Sequence, residues 1–207
     1  MVRRGIKGIE VVMHGLVNRS IQRFVSDTYG TARWEDVRRL AGLDFSDFEA
    51  MLTYERTYTP ALLDAISTVL NRPRNSVMED IGTYLVTHSD FEAVRRLLRF
   101  GGVDFTDFLH SLDDLPDRVR LAVPDLHLPI LELHAYSDEH FSLHCYSDLV
   151  GFGHVMMGIL RVMADDYGVL ALLDHQGLNE KTEAVTIKLV AADFAKGRSF
   201  QLGQGLG

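Results

Sequence analysis

The residues of this chain that could do chemistry cluster in one stretch. Five of its nine histidines, His127, His134, His140, His144 and His154, lie around its single cysteine, Cys145. Imidazoles beside a thiol suggest either a metal centre or an activated nucleophile, and both need converging side chains. Ile130 to Tyr136 alternates, with Leu131, Leu133 and Ala135 opposite Glu132, His134 and Tyr136. Phe141, Leu143 and Cys145 alternate in the same way beyond a turn at Ser137-Asp138, so the segment reads as two strands. His140 and His144 then share one polar face but sit about 13 Å apart, too far to hold one ion. A cross-strand pair with His134 is geometrically open, and solvent-facing histidines are the expectation. Cys145 falls on the apolar face, where a thiol is inert packing. Gly151-Phe152-Gly153 lies inside a helical pattern and follows no strand, so it is not a dinucleotide loop. Met156-Met157 reads as core or pocket lining, and Arg38-Arg39 and Arg95-Arg96 as solvated helix faces. No constellation supports an enzyme.

The best-patterned stretch precedes those strands. In DFTDFLHSLDDLPDRVRLAVPDLHLP, from Asp104 to Pro129, the residues Phe105, Phe108, Leu109, Leu112, Leu115 and Val119 recur at intervals of three and four. That is the period of a buried helical face, with Asp107, Asp113 and Asp114 on the other side. Pro116 interrupts it. In a helix interior proline removes a donor and clashes with the preceding turn, at about 3 kcal/mol. A kink or helix end is therefore expected near Leu112 to Leu115.

The elements that must position these groups divide the chain in two. Before Pro124 the apolar period is helical throughout. Helical faces run over Gly15–Tyr29 (closed by Gly30), then through Trp34, Val37 and Leu40 from a Thr31 cap to a stop at Gly42, and over Asp44–Tyr54, the last carrying Phe48, Met51 and Leu52. Others start at Thr59-Pro60, at Ser76 and at Phe91, with breaks at Asn71 to Asn75 and His88 to Asp90. After Pro124 the period changes to two. Ser147 or Asp148 caps a long helix from Leu149 to Tyr167, followed by strands at Val169–Leu173 and Val185–Leu189. The tail GRSFQLGQGLG is glycine-rich, and residues 193–207 read as flexible.

Composition narrows the function classes. Hydrophobic content is 46% and charged content 24%, those of an ordinary globular domain. The net charge of −8 argues against a non-specific nucleic-acid binder. No apolar run reaches the ~18 residues of a membrane span. One cysteine rules out an internal disulfide and fits a cytoplasmic setting.

Several segments resemble one family. FLHSLDDLPDRVRLAVPDLHLP is similar to the H-NOX (heme–nitric oxide/oxygen binding, HNOB) domain, the sensor module of soluble guanylate cyclase and its bacterial relatives. The family pattern is F-L-x-x-L-D-x-L-H followed by Y-P-x-M-x-x-P. Phe108, Leu109, Leu112, Asp113, Leu115, Pro124 and Pro129 match it. Met13-His14-Gly15-Leu16-Val17-Asn18 resembles the opening M-x-G-x-V-N, and YGTARWEDVRRLAG resembles Y-G-x-x-x-W-x-x-I. Residues 1–12 then read either as a genuine N-terminal extension or as sequence upstream of a start at Met13. The resemblance covers about residues 13–192. It implies an α+β fold in which a helical N-terminal lobe (about 13–88) packs on an α/β lobe (about 90–192). That second lobe carries a four-stranded antiparallel sheet and long helices.

The same resemblance implies heme as cofactor and a signalling protein as partner, either a histidine kinase or a cyclic-nucleotide enzyme. The position of the family's iron-ligating histidine is Pro116, which offers iron no lone pair. His110 lies roughly 120° away around the helix and is a poor substitute. The family's propionate-holding Y-x-S-x-R falls on Cys145-Tyr146-Ser147-Asp148-Leu149. Only Ser147 is kept; Cys145 and Leu149 replace the tyrosine and arginine. Tyr146, displaced by one residue, faces the other side of its strand. The expectation is a regulatory, non-enzymatic H-NOX-like domain without standard heme, its pocket filled by side chains or by another apolar ligand. The alternative is a heme-based nitric oxide or oxygen sensor with a non-standard axial ligand.

Overall fold

A computed structural model describes residues 12–179 and 181–190. The proposed extension up to residue 11 and the tail 193–207 lie outside the described residues. The chain forms β1 (Val12–His14), α1 (Gly15–Tyr29), α2 (Thr31–Leu40), β2 (Thr53–Glu55), α3 (Tyr58–Leu70) and α4 (Arg74–Thr87). A turn of 3-10 helix, Ser89–Phe91, leads into α5 (Glu92–Arg99), α6 (Phe105–His110) and α7 (Leu115–Ala122). Then come β3 (Ile130–Ala135), β4 (His140–Tyr146), α8 (Phe152–Tyr167), β5 (Ala171–Gly177) and β6 (Thr182–Leu189). The last four strands make one antiparallel sheet in the order β3-β4-β6-β5. The fold is the expected α+β arrangement.

The first half is not all helix. β1 and β2 pair antiparallel, Met13 opposite Tyr54. The expected helix at Asp44–Tyr54 does not form, because side chains from other elements satisfy its backbone instead. The Gln22 Oε1 accepts the Phe48 amide at 2.9 Å, and Arg19 and Trp34 donate to the carbonyls of Phe48 and Ser46. Phe48 is fully buried among Phe45, Tyr54 and Tyr58, while Met51 and Leu52 are exposed. Gly15 lets this segment approach α1, since a Cβ there would come within 2.1 Å of the Glu49 carbonyl oxygen. Three helix starts also differ. Thr59 lies inside α3 with its hydroxyl donating to Asn18, α4 begins at Arg74, and α8 begins at Phe152 rather than Leu149.

The interruption at Pro116 is present. α6 ends at His110, and α7 opens with Pro116 in its first turn, where a missing amide costs nothing. The inner face of the sheet, with Leu131, Phe141, Leu143, Cys145, Val185 and Ile187, packs on α8 as one core. The seam between helical and sheet halves is α4 against α8. Cβ atoms added at Gly82 and Gly158 would each lie 2.1 Å from a backbone oxygen of the facing helix, Val155 and Glu79 respectively. Only glycine permits that approach.

Candidate functional site

A cavity of about 560 Å³ opens beside this seam. Its walls come from α1, α4, α5, α7, the approach to β3, and the start of α8. They are apolar nearly throughout, because each amphipathic helix turns its apolar stripe inward. Two polar side chains reach the lining, Ser20 and Asp90. Both are already engaged: the Ser20 hydroxyl donates to the Leu16 carbonyl at 2.8 Å, and Arg23 donates to the Asp90 carboxylate.

The α7 side of the cavity is lined by Leu115 and Val119, four residues apart on one face; Pro116 is not on the lining. Leu149 is on it, held where the Ser147 hydroxyl accepts the Leu149 amide at 3.0 Å. Ser147 is half-buried, and its own amide donates to the Lys181 carbonyl. Cys145 is fully buried in the sheet core away from the lining, its thiol pushed up to about 12 by burial and by the charge of Glu183. His110 is exposed and borders a separate shallow depression with Phe100, Gly101, Val103 and Ser111, so it does not address the cavity. Tyr146 is on the outer face, donating to Glu132 at 2.8 Å. His134 and His144 form a cross-strand pair with ring centroids 4.2 Å apart, on that outer side, and His140 is exposed. Burial, with the neighbouring His134, holds the His144 imidazole below its ordinary range.

These walls do not fit heme held in the standard way. Iron needs an axial lone pair, and among the described residues no histidine, cysteine or tyrosine is on the lining; Met78 and Met156 supply thioethers. The propionates need cationic or amide partners, and Leu149 supplies none.

A polar cluster that sequence patterning did not pick out lies at the start of α8. Glu183, from the inner face of β6, accepts the Gly151 and Gly153 amides at 2.5 and 2.7 Å and contacts His175 Nε2 at 3.0 Å. It caps the helix in place of the expected Ser147 or Asp148. Burial pushes its carboxyl up, but the His175 contact and the two amides outweigh this and hold it below the ordinary glutamate range. His175 stacks on His154, ring centroids 3.9 Å apart. Burial and the neighbouring His175 hold the His154 imidazole below its ordinary range. The signal was present in part: Glu183 has the same parity as Val185, Ile187 and Leu189, which puts it on the inner face.

Residues 14–170 match the sequence pattern of the family described as Haem-NO-binding. The soluble guanylate cyclase gcy-31 of Caenorhabditis elegans is 27% identical over 157 residues, 74% of this chain and 22% of that protein. The guanylate cyclase soluble subunit beta-2 of Rattus norvegicus is 27% identical over 112 residues, 52% of this chain and 16% of that protein. The chain thus spans under a quarter of the curated relatives it matches. Among solved structures, an Fe(II) unliganded H-NOX protein mutant from K. algicida superposes with a TM-score of 0.77, at 15% identity, over 89% of this chain and all of that one. An H-NOX protein from S. oneidensis in the Fe(II)NO state gives 0.67 at 16% identity, over 86% of this chain. At these identities the superpositions establish a shared fold.

Proposed function

The chain belongs to the Haem-NO-binding family, and from that premise we propose that it is a sensory or regulatory domain that works without heme. The observation that carries this reading is the cavity wall. Leu115, Val119 and Leu149 line it, and among the described residues no imidazole or guanidinium does. An ionised propionate brought against such a wall loses its water for nothing, at a cost of several kcal/mol. A hydrogen bond to a charged partner is worth about 1.5–3 kcal/mol, and none is on offer.

The domain's output is contact with a signalling protein. Its relatives include soluble guanylate cyclases several times longer, so a cyclic-nucleotide enzyme is the favoured partner class, with a histidine kinase the alternative. The chain itself carries the sensing role and no catalysis. No helix among the described residues is long and apolar enough to cross a membrane. A cytoplasmic site of action is part of the same proposal.

The test is a visible spectrum of protein expressed with heme supplied. The expected result is no stoichiometric Soret band. A band that shifts with nitric oxide would support the rival reading, heme on a non-standard ligand. Met78 and Met156 are the lining side chains able to serve it, and replacing each with leucine would show which does.

A further inference from the structure

The cavity has a chemistry of its own. It is large enough for a small organic molecule, within the ~300–1,000 Å³ typical of ligand pockets. Water gains little there, because a bound water needs two to four polar partners and the two polar side chains on the wall are occupied by others. Among the described residues the one charged side chain on the lining is Asp90, which is already paired with Arg23 and leaves no free cation on the wall, and the chain as a whole is at −8. Both facts disfavour an anionic guest. Ala93 on α5 and Ala122 at the end of α7 line the cavity and are themselves exposed, so they mark its mouth. Both are small, which leaves a way in.

We propose that this cavity binds a neutral, hydrocarbon-rich small molecule, such as an isoprenoid or a long-chain alcohol. The inference rests on the heme-independent reading and adds the class of ligand. Recognition is by shape and apolar contact, with selection against carboxylates because the wall offers them no donor. Bound between α5, α7 and the α4–α8 seam, such a guest touches both halves of the fold. Its arrival or loss is therefore able to shift α5 and α7 relative to the sheet.

The experiment uses the full chain, stripped of co-purified lipid, and the neutral fluorescent probe N-phenyl-1-naphthylamine. Saturable, one-to-one uptake is expected, displaced by decan-1-ol at concentrations at least tenfold lower than by decanoate. Ala93→Trp and Ala122→Trp, both at exposed positions, should each weaken uptake about tenfold or more with an unchanged thermal melt. Leu149→Arg should narrow the gap between decanoate and decan-1-ol, since it places a cation on the wall. Failure of a folded protein to take up the probe would overturn the proposal. So would uptake that ignores the mouth and Leu149 substitutions, or equal displacement by alcohol and acid. A separate spectrum with heme keeps the two readings apart. No Soret band and no probe uptake sinks the ligand inference alone, whereas a stoichiometric band sinks the heme-independent reading and this inference with it.

Discussion

Two regions flank the start of α8, and they treat polarity in opposite ways. On one side is the cavity, walled by leucine, valine and isoleucine, with Leu149 at its edge. On the other is the Glu183, His175 and His154 cluster, where a buried carboxylate is satisfied by two amides and an imidazole. Both have elements of the same sheet and the same helix to build on, so backbone geometry does not explain the contrast. It lies in side chains alone. The polar cluster is a structural device: it caps a long helix and fixes the β4–α8 connection. The cavity wall carries no histidine or arginine among the described residues, and its two polar side chains, Ser20 and Asp90, are already engaged. Fold and site chemistry are thus separable here, because they rest on different residues.

The sharpest way to break that contrast is to give the cavity the groups it lacks. Leu115 is on the lining and Pro116 is not, so the two histidine placements should differ. Leu115→His with Leu149→Arg should yield a Soret band that the proposed function expects the parent to lack. Pro116→His with Leu149→Arg should yield a band several-fold weaker, even though the resemblance puts the family's axial histidine at 116. Equal bands, or a stronger one from Pro116→His, would mean α7 turns about its axis to meet heme. Next in size is removal of the cluster's anion. Glu183→Ala strands two helix-terminal amides and His175, and should lower unfolding free energy by about 3 kcal/mol in a urea titration. Glu183→Gln keeps the shape but sets an amide donor against others, and should cost about half as much. A change below about 0.5 kcal/mol for either would show that α8 does not depend on this cap. The seam offers a third measure: Gly158→Ala drives a methyl into the Glu79 carbonyl and should cost about 1–3 kcal/mol.

Much of this architecture was legible in the sequence, and the gaps have physical causes. The break before Pro116, the change of period after Pro124 and the burial of Cys145 follow from local rules of backbone and alternation, and all three are present. The segment around Phe48 was not legible. Its apolar spacing is helical, but Gln22, Arg19 and Trp34 satisfy its backbone from 12 to 29 residues away. Long-range hydrogen bonds of that kind leave no periodic trace. β1 and β2 are three residues each, too short for alternation to register. At the site, the resemblance puts the family's histidine and arginine positions at Pro116 and Leu149, an expectation drawn from motif spacing alone. That Leu115 rather than Pro116 lines the cavity was not legible, because it depends on where α7 begins. Local capping rules look only to neighbouring residues and therefore favour Ser147 or Asp148 as the helix cap. The true cap comes from Glu183, 30 residues beyond Gly153.

The smallest expected effect concerns acid. The His154 imidazole is half-buried, stacked on a second imidazole, and held below its ordinary value near 6.5. In the unfolded chain it takes up a proton at that ordinary value, so between there and its lower folded value the unfolded state binds more protons. Stability contributed by this pair is therefore complete above about pH 6.5 and falls as the pH drops below it. Glu183, held below its ordinary value, adds a loss of the same sign at lower pH, beginning near 4.5. The two onsets, near 6.5 and near 4.5, are distinct, which lets one substitution separate them. His154→Phe keeps the stack on His175 but cannot be protonated. Melting temperatures measured from pH 7.5 to 5 should fall less steeply in this variant than in the parent, by a few degrees over the range, while the decline below pH 4.5 persists. An unchanged slope between pH 6.5 and 5 would move the acid sensitivity elsewhere. The next candidate is the outer His134–His144 pair, where His144 is shifted in the same direction. In that case the cluster's role would reduce to the Glu183 cap alone.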